Sequence, residues 1–200
     1  MISVLMSMFV FAFIGAISPG PVNIIATSSG ASFGFKRTLP HVLGATIAYT
    51  LIVFVVGLGL SATTVALPVI TEWLRYIGSA FLLYMAFKIA TAVAVNTPKI
   101  NVISQPPSAW QGALSQGLNP KAWLVSSSGV SIFVTTHSQP FFYLFIFCVV
   151  SFTLCLLGIS TWAVMGHSIR GFLSTHKRQI SFNILMALML SMLVFTILLQ

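Results

Sequence analysis

The chain carries no charged side chain before Lys36, and inside that stretch Ser18-Pro19-Gly20-Pro21-Val22-Asn23 sets two prolines around a glycine. Proline removes a backbone donor and clashes with the preceding turn, and glycine opens dihedrals closed to other residues. One helix is therefore expected to end here and another to begin. An apolar stretch this long belongs in a bilayer, where hydrocarbon offers nothing to the amide and carbonyl groups that such a break releases. Broken backbone is tolerated at that depth only when protein or a watered cavity surrounds it, so the break is a candidate binding site. The second helix would start near Pro21, with its unpaired N–H groups and positive dipole end aimed at an occupant such as a carboxylate. A purely structural kink is the competing reading, since proline is commoner in membrane helices than in soluble ones.

Composition fixes the class. Hydrophobic residues make up 58% and charged residues 5% of the chain, with mean hydropathy +1.04, against roughly 25% charged residues in a soluble domain. Apolar runs of about 20 residues read as spanning helices, and barrel-type alternation is absent, which makes the chain an all-α integral membrane protein lying in a lipid bilayer. No cleaved signal peptide is expected, because no basic residue precedes the first apolar segment. The net charge of +8 comes from bases in short loops between spans. It is read as bilayer orientation rather than nucleic-acid binding. Cys148 and Cys155 share one helix face without polar neighbours and are expected to be packing thiols. No metal site and no cofactor are expected.

Six transmembrane helices emerge in order. Residues 2–17 and a piece from about Val22 to Phe33, rich in Ser and Thr, make a broken first span that stops at Gly34-Phe35-Lys36-Arg37. The second runs from about Leu39 to Ala62. A polar link through Pro68 and Glu72 leads to a third at about Trp73 to Ala94. The hydrophilic loop 96–107 divides the chain. A fourth span begins near Trp110, is interrupted at Gly117-Leu118-Asn119-Pro120-Lys121, and continues through Ser126, Ser127, Ser128 and Ser131. The fifth is about Phe141 to Met165 and the last Ile180 to Leu199. With the loops after the first, third and fifth spans inside the cell, Lys36, Arg37, Lys88, Lys99, Lys121, Arg170, Lys177 and Arg178 fall on or near the cytoplasmic side and only Arg75 opposite. Both termini then lie outside.

The halves echo each other. Residues 1–95 and 108–200 each hold three spans, and each opens with a proline-broken segment followed by a hydroxyl-rich helix. An odd span count per half inverts the second repeat relative to the first, and matching interrupted segments in inverted repeats point to a site at mid-membrane. The whole chain is read as one transporter domain, with 96–107 as its cytoplasmic loop. Glycine and alanine faces such as Gly44 to Ala48 could serve packing within one subunit or in a homodimer.

The Pro-Gly-Pro with Asn23, the Gly34 and basic pair, the glycine-rich second span, Gly78 to Lys88 (GSAFLLYMAFK) and Asn119-Pro120-Lys121-Ala122-Trp123 together resemble the LysE/RhtB amino-acid exporters. The resemblance runs along nearly the whole chain. Ser28-Ser29, Ala90-Thr91, Trp162-Ala163 and Gly166-His167 bring it nearest to members exporting neutral amino acids such as cysteine and O-acetylserine. It implies proton-driven export of an amino acid through a bacterial inner membrane. No enzymatic activity is expected, because the chain offers neither a carboxylate pair nor a Ser/His/Asp set that could meet. Some members have aspartates within the second and fourth spans; this chain has no aspartate, and Tyr49 and Val125 stand near those positions.

That departure bears on substrate. The single acidic residue, Glu72, sits at an outer boundary, so a cationic side chain would find no carboxylate inside and basic substrates are disfavoured. The candidate substrate-binding residues are Pro19, Gly20, Pro21, Asn23, Tyr49, Asn119, Pro120 and Lys121. A zwitterion would place its carboxylate at a helix N-terminus near Pro21 or Lys121 and its ammonium at carbonyls freed by the breaks. Lys121 has two readings, a substrate contact or a side chain reaching toward cytoplasmic headgroups. The histidines are expected at interfaces, with His41 and His167 near cytoplasmic ends. Export of another small metabolite, and a non-transporting partner subunit, remain the alternative functions.

Overall fold

Proline and glycine punctuate the chain where the sequence places them. The computed structural model describes residues 2–59, 72–91 and 105–199, and among these every regular element is helical. The link through Pro68, the far end of the second span at Ala62 and residues 96–104 of the predicted cytoplasmic loop lie outside the described residues, as does Lys99.

Helix α1 (Ile2–Ile17) ends before Pro19, and α2 (Pro21–Phe33) begins with proline in its first turn. The two form a pair bent by 59°. Gly34 separates α2 from α3 (Phe35–Leu58) at φ +88°, a value that an L side chain rarely adopts. The elbow is tied by Thr38, whose hydroxyl donates to the Gly34 carbonyl at 3.0 Å and meets the Ser29 hydroxyl at 2.7 Å. Helix α3 starts ahead of the expected Leu39 and runs through Pro40, which falls early enough to remove only one intrahelical bond. His41 thereby sits inside the helix. It is fully buried among the helices, with Nε2 3.4 Å from the Val22 carbonyl. A carbonyl only accepts, so that nitrogen carries the proton.

A π-helical turn, Leu74–Gly78, leads into α4 (Ser79–Ala90). Helix α5 (Ala109–Gly117) opens on a capping box, with the Gln111 amide donating to the Ser108 hydroxyl and the Ser108 amide to the Gln111 side chain. After the second break come α6 (Pro120–Phe133), α7 (Pro140–Ser168) and α8 (His176–Leu198). Helices α3, α7 and α8 are each long and apolar enough to cross a membrane, and the bent α1–α2 pair makes a fourth crossing if counted as one span.

Two packing units follow. Helix α3 lies along α5 and α7, with α2 and α1 on α7, while α4 pairs with α8. The first unit buries Met8, Val42, Val53, Val130 and Phe147, and the second buries Ile25, Leu82, Met85 and Leu190. Helix α2 lies between them and is buried at nearly every position. Small residues set the closest approaches: a Cβ on Gly44 would run into the Ala109 backbone, and one on Gly112 into the His41 carbonyl.

Gly44→Ala and Gly112→Ala are each expected to destabilise the protein by about 1–3 kcal/mol through overpacking of this crossing. Thermal unfolding in detergent should show both midpoints lowered. Gly171→Ala, where a Cβ meets nothing within 4 Å, should melt with the wild type.

Candidate functional site

Each break frees carbonyl groups at the end of one helix and amides at the start of the next. At the first break the Ser18 amide donates to the Ile14 carbonyl at 3.1 Å, and the Ser18 hydroxyl to the Gly15 carbonyl at 3.1 Å. Asn23 spends both amide hydrogens on the carbonyls of Ala16 and Ser18, at 3.0 Å each. The Trp162 indole reaches from α7 to the Ile17 carbonyl at 3.0 Å.

The second break uses the same residue types in different roles. The Leu118 amide donates to the Leu114 carbonyl at 2.9 Å and the Asn119 amide to the Gln116 carbonyl at 3.1 Å. The Trp123 indole satisfies the Gly117 carbonyl at 2.8 Å. Asn119 caps α6, its side-chain oxygen accepting from the Lys121 amide at 3.2 Å. Each break thus uses one asparagine and one tryptophan. Gly78, at the end of the π-helical turn, lies against the Leu118 carbonyl, where a Cβ would not fit.

The breaks meet at Lys121. Its ammonium donates to the Ser18 hydroxyl at 2.5 Å and lies 3.5 Å from the carbonyls of Ser18 and Pro19. The side chain is half-buried and turned onto the first break. No carboxylate accompanies it, since the chain's one acidic residue is Glu72, which is exposed.

Around this contact is a cavity of about 50 Å³ walled by residues of both breaks and of α3 and α7. On the scale where roughly 10–15 Å³ holds one water, about three to five water-sized groups fit. Of the predicted site residues, Gly20, Asn23, Tyr49, Asn119 and Lys121 line it. Pro19, Pro21 and Pro120 do not. Pro21 and Pro120 occupy the first positions of α2 and α6, and Pro19 offers its carbonyl to Lys121.

The walls also include Ser18, Gln116, Val125 and Cys155, which the sequence reading did not assign to a site. Ser18 and Gln116 abut the two breaks in sequence, a signal that could have found them. Val125 had been noted only as standing near a family aspartate. Cys155 carried no local signal; it is a buried free thiol, and Tyr49 lies beside it and Ser126. Behind this wall the hydroxyl of Ser151 is buried without a hydrogen-bond partner among the described residues, while those of Ser126 and Thr46 adjoin Tyr49 and Cys155.

Helix α2 has no side-chain cap. Its first amide donors belong to Val22 and Asn23, both on the cavity wall. The cavity therefore presents a helix N-terminus and a lysine ammonium together, an arrangement suited to one carboxylate.

Comparison with known proteins covers nearly the whole chain. The profile of the family described as LysE type translocator matches residues 13–200. A cysteine/O-acetylserine efflux protein of Escherichia coli (strain K12) is 29% identical over 189 residues, covering 94% of each chain. A protein of the same description from Shigella flexneri serotype 5b (strain 8401) is 30% identical over 192 residues, 95% of each. No solved structure is a significant match.

Trp162→Phe and Trp123→Phe would each leave a carbonyl without its indole donor, at a cost of about 1–3 kcal/mol. Thermal melts of the two purified variants should fall together. An unchanged melt for both would show that these indoles do not hold the breaks.

Proposed function

The chain belongs to the LysE type translocator family, and on that footing we propose that it exports small neutral amino acids from the cytoplasm across a bacterial inner membrane. Cysteine and O-acetylserine, named for the relatives in Escherichia coli and Shigella, are the substrates we assign first. The observation that carries the reading is the Lys121 ammonium held over carbonyls in a cavity made by both breaks, in a chain with no interior acid.

In the proposed mechanism the substrate carboxylate binds Lys121 and the open amides of Val22 and Asn23. Lys121 then releases the Ser18 and Pro19 carbonyls, and the substrate ammonium takes them. The exchange keeps charge balanced in a low-dielectric site: one cation replaces another at the carbonyls, and the displaced cation gains an anion. A lysine or arginine substrate would bring a second cation with no partner, which argues against basic amino acids. Tyr49, with Ser126 and Cys155 beside it, forms the wall facing the substrate side chain.

We further propose six spans in two inverted repeats, residues 1–95 and 108–200, with both termini outside and the basic loops inside. The recurrence of a break followed by a helix that opens on proline and carries several hydroxyls, α2 from Pro21 and α6 from Pro120, supports the repeat. The clustering of His167 and Arg170 against Gly34, next to Lys36 and Arg37, supports one basic end. The driving force we assign is the proton gradient.

Inside-out vesicles containing the protein should accumulate radiolabelled O-acetyl-L-serine saturably, should not accumulate lysine, and should lose accumulation with a protonophore. Lys121→Gln should raise the half-saturation concentration by about tenfold to a hundredfold, the loss expected for a charge-assisted contact. Strong lysine flux, or a fully active Lys121→Gln protein, would refute the site.

A further inference from the structure

Helix α2 walls a second cavity on the half that the breaks do not use. This cavity, about 40 Å³, is lined by Ser28, Ser29 and Ser32 of α2, Lys88 of α4 and Gln105, together with apolar residues including Ile25 and Met85. All three serines are buried. Two are fixed from behind: the Ser29 hydroxyl by Thr38 at 2.7 Å, and Ser32 by the Gln179 side chain, which donates to it at 3.1 Å from α8. Lys88 is half-buried. Its ammonium donates no hydrogen bond among the described residues and lies 5.9 Å from the Tyr84 ring.

We propose that this second cavity is a loading site for the carboxylate of the exported amino acid on its way from the cytoplasm to the break cavity. The inference rests on the export reading above. Its chemistry repeats that of the first site: an ammonium without an anion, beside hydroxyl and amide groups that can hold the rest of a zwitterion. Its position follows from the course of α2. Asn23 lines the first cavity and Ser29 the second, six residues apart, or about 9 Å along the axis. Beyond Ser32 the helix ends at Gly34 against Arg170 and His167, with Lys36 and Arg37 following. That basic end is the cytoplasmic one under the orientation proposed here. The second cavity therefore lies between the cytoplasm and the breaks, with Val22 lining the first and Ile25, about one turn on, lining the second.

The test compares the two faces of the membrane with the same radiolabelled O-acetyl-L-serine. In inside-out vesicles, where substrate enters from the cytoplasmic face, Lys88→Gln should raise the half-saturation concentration fivefold or more with the maximal rate retained, and Lys88→Arg should restore it. Ser28→Leu, which fills the cavity without touching the ammonium, should do the same. In right-side-out vesicles, initial uptake from the opposite face should keep its wild-type half-saturation in all three variants. An unchanged value in inside-out vesicles, or an equal shift from both faces, overturns the loading site, while wild-type flux and its sensitivity to Lys121→Gln leave the export reading standing. Absence of saturable flux in the wild type removes both.

Discussion

A carbonyl group released inside a membrane must find a donor within the protein, and this requirement shapes the structure at both of its proline breaks. Ile17 finds the indole of Trp162, and Gly117 that of Trp123. Ala16 and Ser18 share the amide of Asn23. These bonds fix where α7 can lie relative to α1, and how α6 leaves α5. The glycine contacts at Gly30 with Ala163 and at Gly166 with Thr27 bring α2 and α7 to backbone distance along the same seam. The close helix packing and the breaks therefore depend on each other.

Satisfying the carbonyls leaves different groups open. The amides that begin α2 have no cap, and the ammonium of Lys121 rests on oxygen atoms that carry no full charge. Together they make an electropositive pocket in a chain that contains a single acidic residue. A carboxylate is the complement such a pocket lacks. An amino acid brings that carboxylate along with an ammonium that can replace Lys121 at the carbonyls, so the site needs no acidic residue of its own. Tyr49 and Val125 occupy the walls without adding charge.

Much of this was legible in the sequence, because proline and glycine act locally. Both breaks fall at the predicted residues, Asn119 and Lys121 lie on the cavity, and Tyr49 joins them from another helix. The chemistry that completes the site was not legible. Trp162 and Ile17 are 145 positions apart, and no spacing rule connects them. Cys155 looked like a packing thiol because its neighbours in sequence are apolar; its place on the wall depends on how α7 turns against the first break. His41 was expected near a cytoplasmic helix end, and its burial against the Val22 carbonyl, 19 positions away, had no signal in the sequence. The π-helical turn at Leu74–Gly78 left no trace in composition. The six-span repeat remains a proposal supported by the paired breaks.

The central claim is that Lys121 meets the carboxylate of a bound amino acid. Solid-state NMR can measure it by recoupling a 13C label in the carboxyl group of O-acetyl-L-serine to 15N in the lysine side chains of the protein in lipid, in a Lys88→Gln background that removes the second ammonium. The account predicts a carbon–nitrogen separation of about 4 Å or less, the range of a direct ion pair, and its disappearance in Lys121→Gln. A bound carboxylate that shows no lysine nitrogen nearby, or one whose dephasing survives that substitution, would contradict it.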